Sequence, residues 1–351
     1  MPAKDVDAQI DQHLEKGYGA LERNDAATAR RAAQAALALD ADVADAHALL
    51  GAIAEREGDL EAAGAAYAAA HAADPEAFEP LLALAEIEHA RGDVARARKL
   101  FAEAVDVAEE EDEYVEALLS SAELELAEGD AERAGAVLVE LPEVELPEPN
   151  DHLRAGDILR QVAAFGGAGA KETLASAERH FTAALARAEG DDALIADATY
   201  GLALIDEARE AREAMIRRFG EVLALDAKEA RAPWSVPDDR MEEIVEAALE
   251  ELPERARVLL ANVPIVIEPR PGRAQVQEGL DPRLLGLFSG PSLPDGGDMP
   301  SLQQITLYAR NLERAASSVE DLEEEIRITL LHETGHFFGM DEDALAELEL
   351  D

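Results

Sequence analysis

The sequence contains no cysteine, which excludes disulfides, thiolate zinc sites and a cysteine nucleophile. Long apolar runs are also absent, and no stretch approaches the roughly 20 residues that a helix needs to cross a bilayer. The N-terminal segment turns acidic at Asp5 without an apolar run, so no secretion signal is visible. From these absences we expect a soluble, cytoplasmic protein.

Basic residues are scarce: 31 lysines and arginines stand against 77 acidic side chains, and the formal net charge is -46. Such a surface repels phosphate backbones and anionic lipids, so nucleic acid and membranes are poor candidate partners. It attracts basic peptides and metal cations instead, although solubility alone would also explain the charge. With 351 residues, 48% of them hydrophobic, the chain is long enough for two folded domains.

The first part of the chain repeats a short turn motif at a nearly constant interval. A small residue followed by Asp recurs at 24–25, 58–59, 92–93 and 129–130, with spacings of 34, 34 and 37 residues. Another small residue stands seven positions before each turn, and an alanine stands five positions after its first residue. Small residues at these offsets let two antiparallel helices approach closely, and the Asp-containing turn joins them. The pattern therefore predicts a series of helix pairs.

This pattern resembles the tetratricopeptide repeat (TPR) family over residues 8–141, in four units, and residues 1–141 are assigned to it. The resemblance implies an all-α superhelix whose first helices line a concave groove. The fourth motif position, usually aromatic in the family, is instead His13, His47, Leu81 and Leu118. A segment rich in Pro and Glu breaks the pattern after 141, and residues 142–232 are predicted to form degenerate helical repeats.

The groove implied by the TPR resemblance would be acidic. The second motif position, which faces the groove in that family, is acidic in every unit: Asp11, Asp45, Glu79 and Glu116. The ninth position adds two more acids, Glu86 and Glu123. One hypothesis is a groove that selects a basic segment of a protein partner. The alternative is that solvent-facing positions of an acid-rich chain are acidic without a role in binding.

The pattern changes after Pro233 and Pro237, which mark a linker. Beyond it a helix is predicted over 241–252 and strands over 263–267, 284–288 and 305–308. Gly- and Pro-rich segments over 269–282 and 290–300 are predicted to be loops. This order fits a small α+β domain, assigned to residues 238–351.

The last predicted helix carries the sequence His332-Glu333-Thr334-Gly335-His336, after a capping box predicted at Ser317 and Glu320. A spacing of four residues puts both imidazoles on one face of the helix, where they can reach one metal ion. The glutamate between them can hold a metal-bound water without being a ligand. A buried histidine pair without metal is the alternative. The six other histidines lack ligand spacing and are interpreted as packing or surface residues: His13, His47, His71, His89, His152 and His180.

A third metal ligand must be a carboxylate, because no other histidine lies nearby. The chain follows the spacing H-E-x-x-H-x-x-G-x-x-acid, in which Gly339 is the glycine and Glu342 is the acid. Glu342 is therefore the predicted third ligand, with Asp343 and Asp341 as alternatives. Residues 238–351 resemble the minimal zincin-like metallopeptidase family of bacteria, through this motif and through segments 241–245, 284–288 and 305–308. The resemblance implies one zinc ion on His332, His336 and Glu342, and Glu333 as the catalytic acid/base.

The chain is therefore predicted to be multidomain, an all-α TPR-like superhelix followed by a small α+β zincin-like domain. The predicted function is zinc-dependent peptide hydrolysis combined with protein binding by the repeats. An extended substrate is expected to pair with the edge of strand 305–308, where Tyr308 is a weak candidate for an oxyanion donor. The alternative is a TPR adaptor whose zincin-like domain binds metal but is catalytically weak or inactive. A small-molecule metal hydrolase is also compatible, although nothing in the sequence selects it.

Overall fold

The computed structural model describes residues 3–139, 146, 148–166, 169–252, 254, 257, 260, 263–290 and 304–337. The chain divides into two compact units, residues 1–187 and 188–351. The predicted domain bounds, 1–141, 142–232 and 238–351, stay predictions. The helices of the first unit are α1 Ala3–Glu22, α2 Ala26–Leu39, α3 Ala44–Arg56, α4 Leu60–Ala73, α5 Phe78–Ala90, α6 Val94–Val107, α7 Glu111–Ala127, α8 Ala131–Leu138, α9 Pro149–Ala164 and α10 Ala170–Arg187.

The recurring turn motif joins the two helices of each of the first four pairs. Its first residue has a positive φ, between 59° and 82° in the four turns, which explains why three of the four are glycine. The aspartate that follows caps the second helix: its side chain accepts a hydrogen bond from the backbone N–H three residues on. The sequence motif is thus a left-handed residue plus an N-cap.

Small residues let the helices of a pair approach closely. A Cβ added at Gly51 of α3 would lie 2.7 Å from the ring of Tyr67 on α4, closer than packing permits. Gly156 of α9 faces Phe181 of α10 in the same way, with a hypothetical Cβ 3.0 Å from the ring. The alanines of the motif are fully buried in each second helix. The helix-pair prediction therefore extends to α9 and α10, beyond the four clear repeats.

Two of the scattered histidines meet between α9 and α10. Nδ1 of His152 lies 3.1 Å from Nδ1 of His180, and the two ring centroids are 5.3 Å apart. The pKa of His180 is lowered to about 4. Burial is the main cause, and the neighbouring His152 and Arg179 contribute to the same shift. Both histidines are packing residues in this structure, as predicted, although the contact between them could not be read from the sequence.

Because an unfolded chain protonates His180 near its ordinary pKa of 6.5, the first unit should lose stability as the pH falls from about 6.5 towards 4. The expected loss is on the order of 2 kcal/mol. The measurement compares the fall in unfolding free energy from pH 7 to pH 4.5 in the wild type with the fall in His180→Gln, which should be smaller. The variant His89→Gln, at a partly exposed site, serves as the control. Equal pH dependence in the wild type and His180→Gln would contradict the assignment.

The second unit begins with one more helix pair, α11 Asp192–Ala208 and α12 Arg212–Asp226, followed by a segment without regular structure over residues 227–237. Ion pairs connect this pair to the rest of the same unit. Arg283 donates to both carboxylate oxygens of buried Asp226 at 2.9 and 3.0 Å, and its guanidinium carbon lies 4.7 Å from the ring centroid of Tyr200. Tyr200 in turn donates to Asp281 at 2.7 Å. The last helix pair therefore belongs structurally with the C-terminal region.

A three-stranded sheet and four further helices complete the described part of this unit. They are α13 Asp238–Glu251, β1 Ile265–Glu268, α14 Arg273–Glu278, β2 Gly286–Ser289, β3 Gln304–Tyr308, α15 Ala309–Ala315 and α16 Val319–Phe337. The strand order is β1-β3-β2, with β1 parallel and β2 antiparallel to β3. The apolar faces of α13, β3 and α16 form one core that includes Met241, Ile305 and Ile326.

Three details differ from the sequence predictions. The segment 269–282 is not a loop throughout, because it contains the short helix α14. Gly272 precedes this helix, Gly279 ends it in a left-handed conformation, and its Val276 is buried. The helix cap lies one residue later than predicted, since Ser318 Oγ accepts from the N–H of Asp321 at 3.1 Å, while the Asp321 side chain accepts from the N–H of Ser317 at 3.3 Å. Strand β3 is central and has no free edge for a substrate. The short helix and the strand order depend on tertiary contacts, whereas the cap differs from the prediction by one residue only.

The predicted fold class is confirmed: a TPR-like helical array precedes a small domain of helices and a three-stranded sheet. Within the described residues, no helix is both long and apolar enough to span a bilayer.

Candidate metal centre and acidic groove

His332 and His336 face each other on successive turns of α16. Their Nε2 atoms lie 3.0 Å apart, and the rings are nearly perpendicular, with centroids 4.7 Å apart. Both side chains are partly exposed, whereas the apolar positions of the same helix, such as Leu330, are fully buried. The helix thus presents two imidazole nitrogens at one accessible point.

Glu333 is held against strand β2. It is only 5% exposed, and its Oε2 accepts a hydrogen bond of 2.5 Å from the backbone N–H of Phe288. A Cβ added at Gly286 would lie 2.9 Å from Oε1 of Glu333 and 2.6 Å from Thr329, so glycine is needed for this close approach. Neither contact was predicted from the sequence, although a glycine within a strand is a signal for the close approach of another group.

The imidazole pair fits a zinc ion. Two zinc–nitrogen bonds of about 2.0–2.1 Å at a tetrahedral angle place the nitrogens about 3.3 Å apart, close to the separation in the structure. Among the described residues, no group of three or more His, Asp or Glu side chains is placed to hold a metal. The predicted third ligand Glu342 and its alternatives Asp341 and Asp343 lie outside the described residues, as does Gly339. Two imidazole nitrogens are therefore close enough together for one metal ion to reach both, and a third ligand would come from elsewhere in the chain.

Tyr308 ends the central strand and is fully buried. Burial raises the pKa of its hydroxyl, and the nearby side chain of Gln275 offsets part of that shift. Because β3 is paired on both sides, the predicted substrate pairing along 305–308 is wrong. Among the three described strands, β1 and β2 form the edges, and β2 is the edge strand next to Glu333.

The predicted groove residues lie on the first helices of the pairs, and their charges act on one another. Tyr18 donates a hydrogen bond to the backbone carbonyl of Asp45 at 3.1 Å. Its pKa is raised to about 12 by burial and by the negative charges of Asp45 and Glu79. The carboxyl of Glu86 also has a raised pKa, because surrounding groups desolvate it and Glu116 repels its charge. Acidic side chains of successive pairs therefore lie near one another in the first unit, and we call this set of residues the acidic groove, after the groove that the sequence predicts.

One arginine of the chain already occupies part of the acidic groove. Arg154 of α9 donates to Glu116 at 2.6 Å, to both oxygens of Glu123 at 2.8 and 2.9 Å, and to Ser120 at 3.2 Å. The carboxylates hold the pKa of Arg154 above its ordinary value. Glu116 and Glu123 thus share the single positive charge of Arg154, whereas Asp11, Asp45 and Glu79 are exposed. No sequence signal links Arg154 to residues 31 and 38 positions earlier.

Comparisons with known proteins find separate similarities for the helical array and for the C-terminal region. Residues 260–351 match the sequence profile of a family described as zincin-like metallopeptidase. The solved structure of pilF from Pseudomonas aeruginosa is similar over 64% of this chain and 100% of its own, with 18% identity and a TM-score of 0.50. That similarity supports the fold alone.

Two further solved structures are less similar. YrrB, described as a TPR protein with an unusual peptide-binding site, matches over 55% of this chain and 91% of its own, with 17% identity and a TM-score of 0.41. A tetratricopeptide repeat protein from Parabacteroides merdae matches over 67% of this chain and 97% of its own, with 15% identity and a TM-score of 0.38. No curated protein matches the chain.

The helical array and the profile match together describe a helical-repeat protein whose C-terminal residues 260–351 are similar to a metallopeptidase family. More specifically, the chain is a TPR-like array fused to a zincin-like domain, as the sequence resemblance predicted.

Proposed function

We propose that this protein is a zinc-dependent peptidase whose TPR-like repeats bind a protein partner. The observation that carries the proposal is the imidazole pair of His332 and His336, with Nε2 atoms 3.0 Å apart, beside the buried carboxylate of Glu333. A histidine pair that served only the core would be buried with apolar neighbours, whereas both rings here are partly exposed. The match of residues 260–351 to the zincin-like metallopeptidase family supports the same chemistry.

In this proposal each group has a separate task. His332 and His336 hold the ion, with Glu342 as the third ligand and Asp343 or Asp341 as alternatives. Bound zinc would supply a water with a pKa lowered from about 16 to near 7, and would polarise the scissile carbonyl. Glu333 accepts the proton of the attacking water and passes it to the leaving amine. The N–H of Phe288 holds Oε2 of this carboxylate in place.

Strand β2 is the proposed binding edge for an extended substrate. It is an edge strand among the described residues and contacts Glu333 through Phe288. Pairing of a peptide along this edge would bring a carbonyl to the catalytic carboxylate by main-chain hydrogen bonds. Tyr308 stays a weak candidate for the oxyanion donor, since the strand that carries it is central.

Metal removal tests the proposal. The purified chain should contain one zinc ion, hydrolyse a general peptide substrate, lose that activity with a chelator and regain it with added zinc. His336→Gln should bind zinc roughly 100-fold more weakly, because one ligand is lost. Of the three acid variants, Glu342→Gln should weaken zinc binding more than Asp343→Asn or Asp341→Asn. His89→Gln is the matched control.

The outcomes separate the two candidate functions. Zinc bound at His332 and His336 without hydrolysis would support the adaptor whose zincin-like domain is inactive. A chain that binds zinc as tightly after His336→Gln as before would overturn the metal site itself.

We further propose that the acidic groove captures a basic segment of the partner. The double variant Asp45→Lys, Glu79→Lys should weaken binding of an arginine-rich peptide about tenfold at low salt, because it reverses charges at exposed positions. Arg154→Gln should strengthen binding, since it frees Glu116 and Glu123. The control is Glu15→Lys, Asp106→Lys, which makes the same charge change at exposed sites. An equal loss in both double variants would mean that only net charge attracts the peptide.

A further inference from the structure

A cavity of about 460 Å³ lies within the second unit, apart from the motif helix. Its walls come from α11, from the segment that follows α12, from the end of β1 and from α15, and Trp234 forms part of the apolar wall. The volume falls in the range of about 300–1,000 Å³ that is typical of small-molecule sites. The lining is distinctive because arginines are concentrated there, in a chain with only 31 basic residues and a net charge of -46.

The charges that line the cavity sum to one positive charge. Four arginines (Arg231, Arg270, Arg310 and Arg314) oppose three carboxylates (Asp197, Glu229 and Glu313). Most of these groups form close ion pairs: Arg231 and Arg310 bind Glu313, and Arg314 binds Asp197 and Glu229. The cavity is therefore a local exception to the acidity of the whole protein and can accept one further negative charge.

Arg270 is the member of this group that is least well paired. Its side chain is 17% exposed, and its ion-pair partner among the described residues is Glu229 at 3.7 Å, too far for a hydrogen bond. The Nε atom is buried and has no hydrogen-bond acceptor among those residues. Burial lowers the pKa of this guanidinium, and the nearby carboxylates of Asp226 and Glu229 offset that shift only in part. Burial of this guanidinium charge carries a desolvation penalty that an anion beside its exposed part would offset.

We propose that the cavity binds a small organic monocarboxylate, with its carboxylate on Arg270 and its apolar part against Trp234. A guanidinium matches the planar carboxylate with two parallel N–H donors, and Arg270, whose ion pair with Glu229 is 3.7 Å long, is the weakly paired arginine of the cavity. One negative charge balances the lining, whereas a phosphate group, with about 1.5 to 2 charges at neutral pH, would exceed it. This proposal is independent of the zinc site.

Trp234 makes the test direct, because it is the one tryptophan of the chain and it lines the cavity. Intrinsic tryptophan fluorescence of the full-length protein should change saturably on titration with phenylacetate. Phenylacetamide, the neutral isostere, should give no saturable change, and inorganic phosphate should bind at least tenfold more weakly than phenylacetate. An equal response to phenylacetamide, or tighter binding of phosphate, would overturn the carboxylate assignment.

Variants locate the response at Arg270. Arg270→Gln should weaken phenylacetate binding roughly 10-fold to 100-fold, the range expected for loss of a charge-assisted pair. Arg217→Gln, which removes the same charge at an exposed site on α12, should bind like the wild type. Arg270→Lys keeps the charge and should still weaken binding at least fivefold, because an ammonium cannot offer two parallel donors to a carboxylate. Unchanged binding in Arg270→Gln and Arg270→Lys, with thermal unfolding like that of the wild type, would contradict the proposal.

Discussion

Glu333→Gln is expected to lower peptide hydrolysis by about 10² to 10⁴ while the protein keeps its zinc, because general-base catalysis contributes a factor of this size. The substitution keeps the shape of the side chain and leaves an oxygen that can accept the Phe288 N–H. It removes the group that can take a proton. The measurement combines initial rates on a general peptide substrate with the zinc content of the same samples.

A matched control lies on the same helix. Glu325→Gln makes the same chemical change two turns before the site, at a partly exposed position of α16. It should retain both zinc and activity. Loss of zinc in Glu333→Gln would assign the residue a structural role, and full activity in that variant would exclude it as the base.

Asp226→Ala is expected to destabilise the second unit by about 3 kcal/mol, because it removes the main partner of Arg283, whose side chain is only 12% exposed. Asp226 itself is 3% exposed and receives two hydrogen bonds from that guanidinium. The residual pair between Arg283 and Asp197, at 2.8 Å, keeps the loss at the low end of the range for broken buried pairs. Such a loss corresponds to a fall in Tm of roughly 6–12 °C.

Thermal unfolding followed by Trp234 fluorescence measures this effect specifically, since the tryptophan lies in the second unit. Asp192→Ala is the control: its ion pair with Lys228 is exposed on both sides, so less than about 1 kcal/mol should be lost. Equal shifts in the two variants would mean that the Arg283 network does not hold the last helix pair to the C-terminal region.

The repeats could be predicted because their information is local. A left-handed residue, a capping aspartate and a buried alanine recur within about ten residues of one another, and each has a direct backbone or packing cause. The position of the two imidazoles on one helix face also follows from local geometry, since four residues make about one turn. These features needed no knowledge of which segments meet in space.

The details that were missed depend on contacts between distant segments. Nothing near Glu333 indicates that the N–H of Phe288, 45 residues earlier, binds its carboxylate. Similarly, strand order cannot be read from three apolar runs, and β3 proved to be central. Arg154 looks like any helical arginine until α9 places it against Glu116 and Glu123. In each case the sequence identified the residue types, and only the fold could identify the partner.

The central claim is that two imidazoles of α16 hold one zinc ion with an exchangeable position beside Glu333. X-ray absorption spectroscopy at the zinc edge tests it most directly on the purified chain. The account predicts two imidazole nitrogens and additional oxygen ligands at about 2.0–2.2 Å, and loss of one imidazole in His336→Gln. A bound zinc with no imidazole in its coordination shell, or a shell unchanged by that substitution, would contradict it.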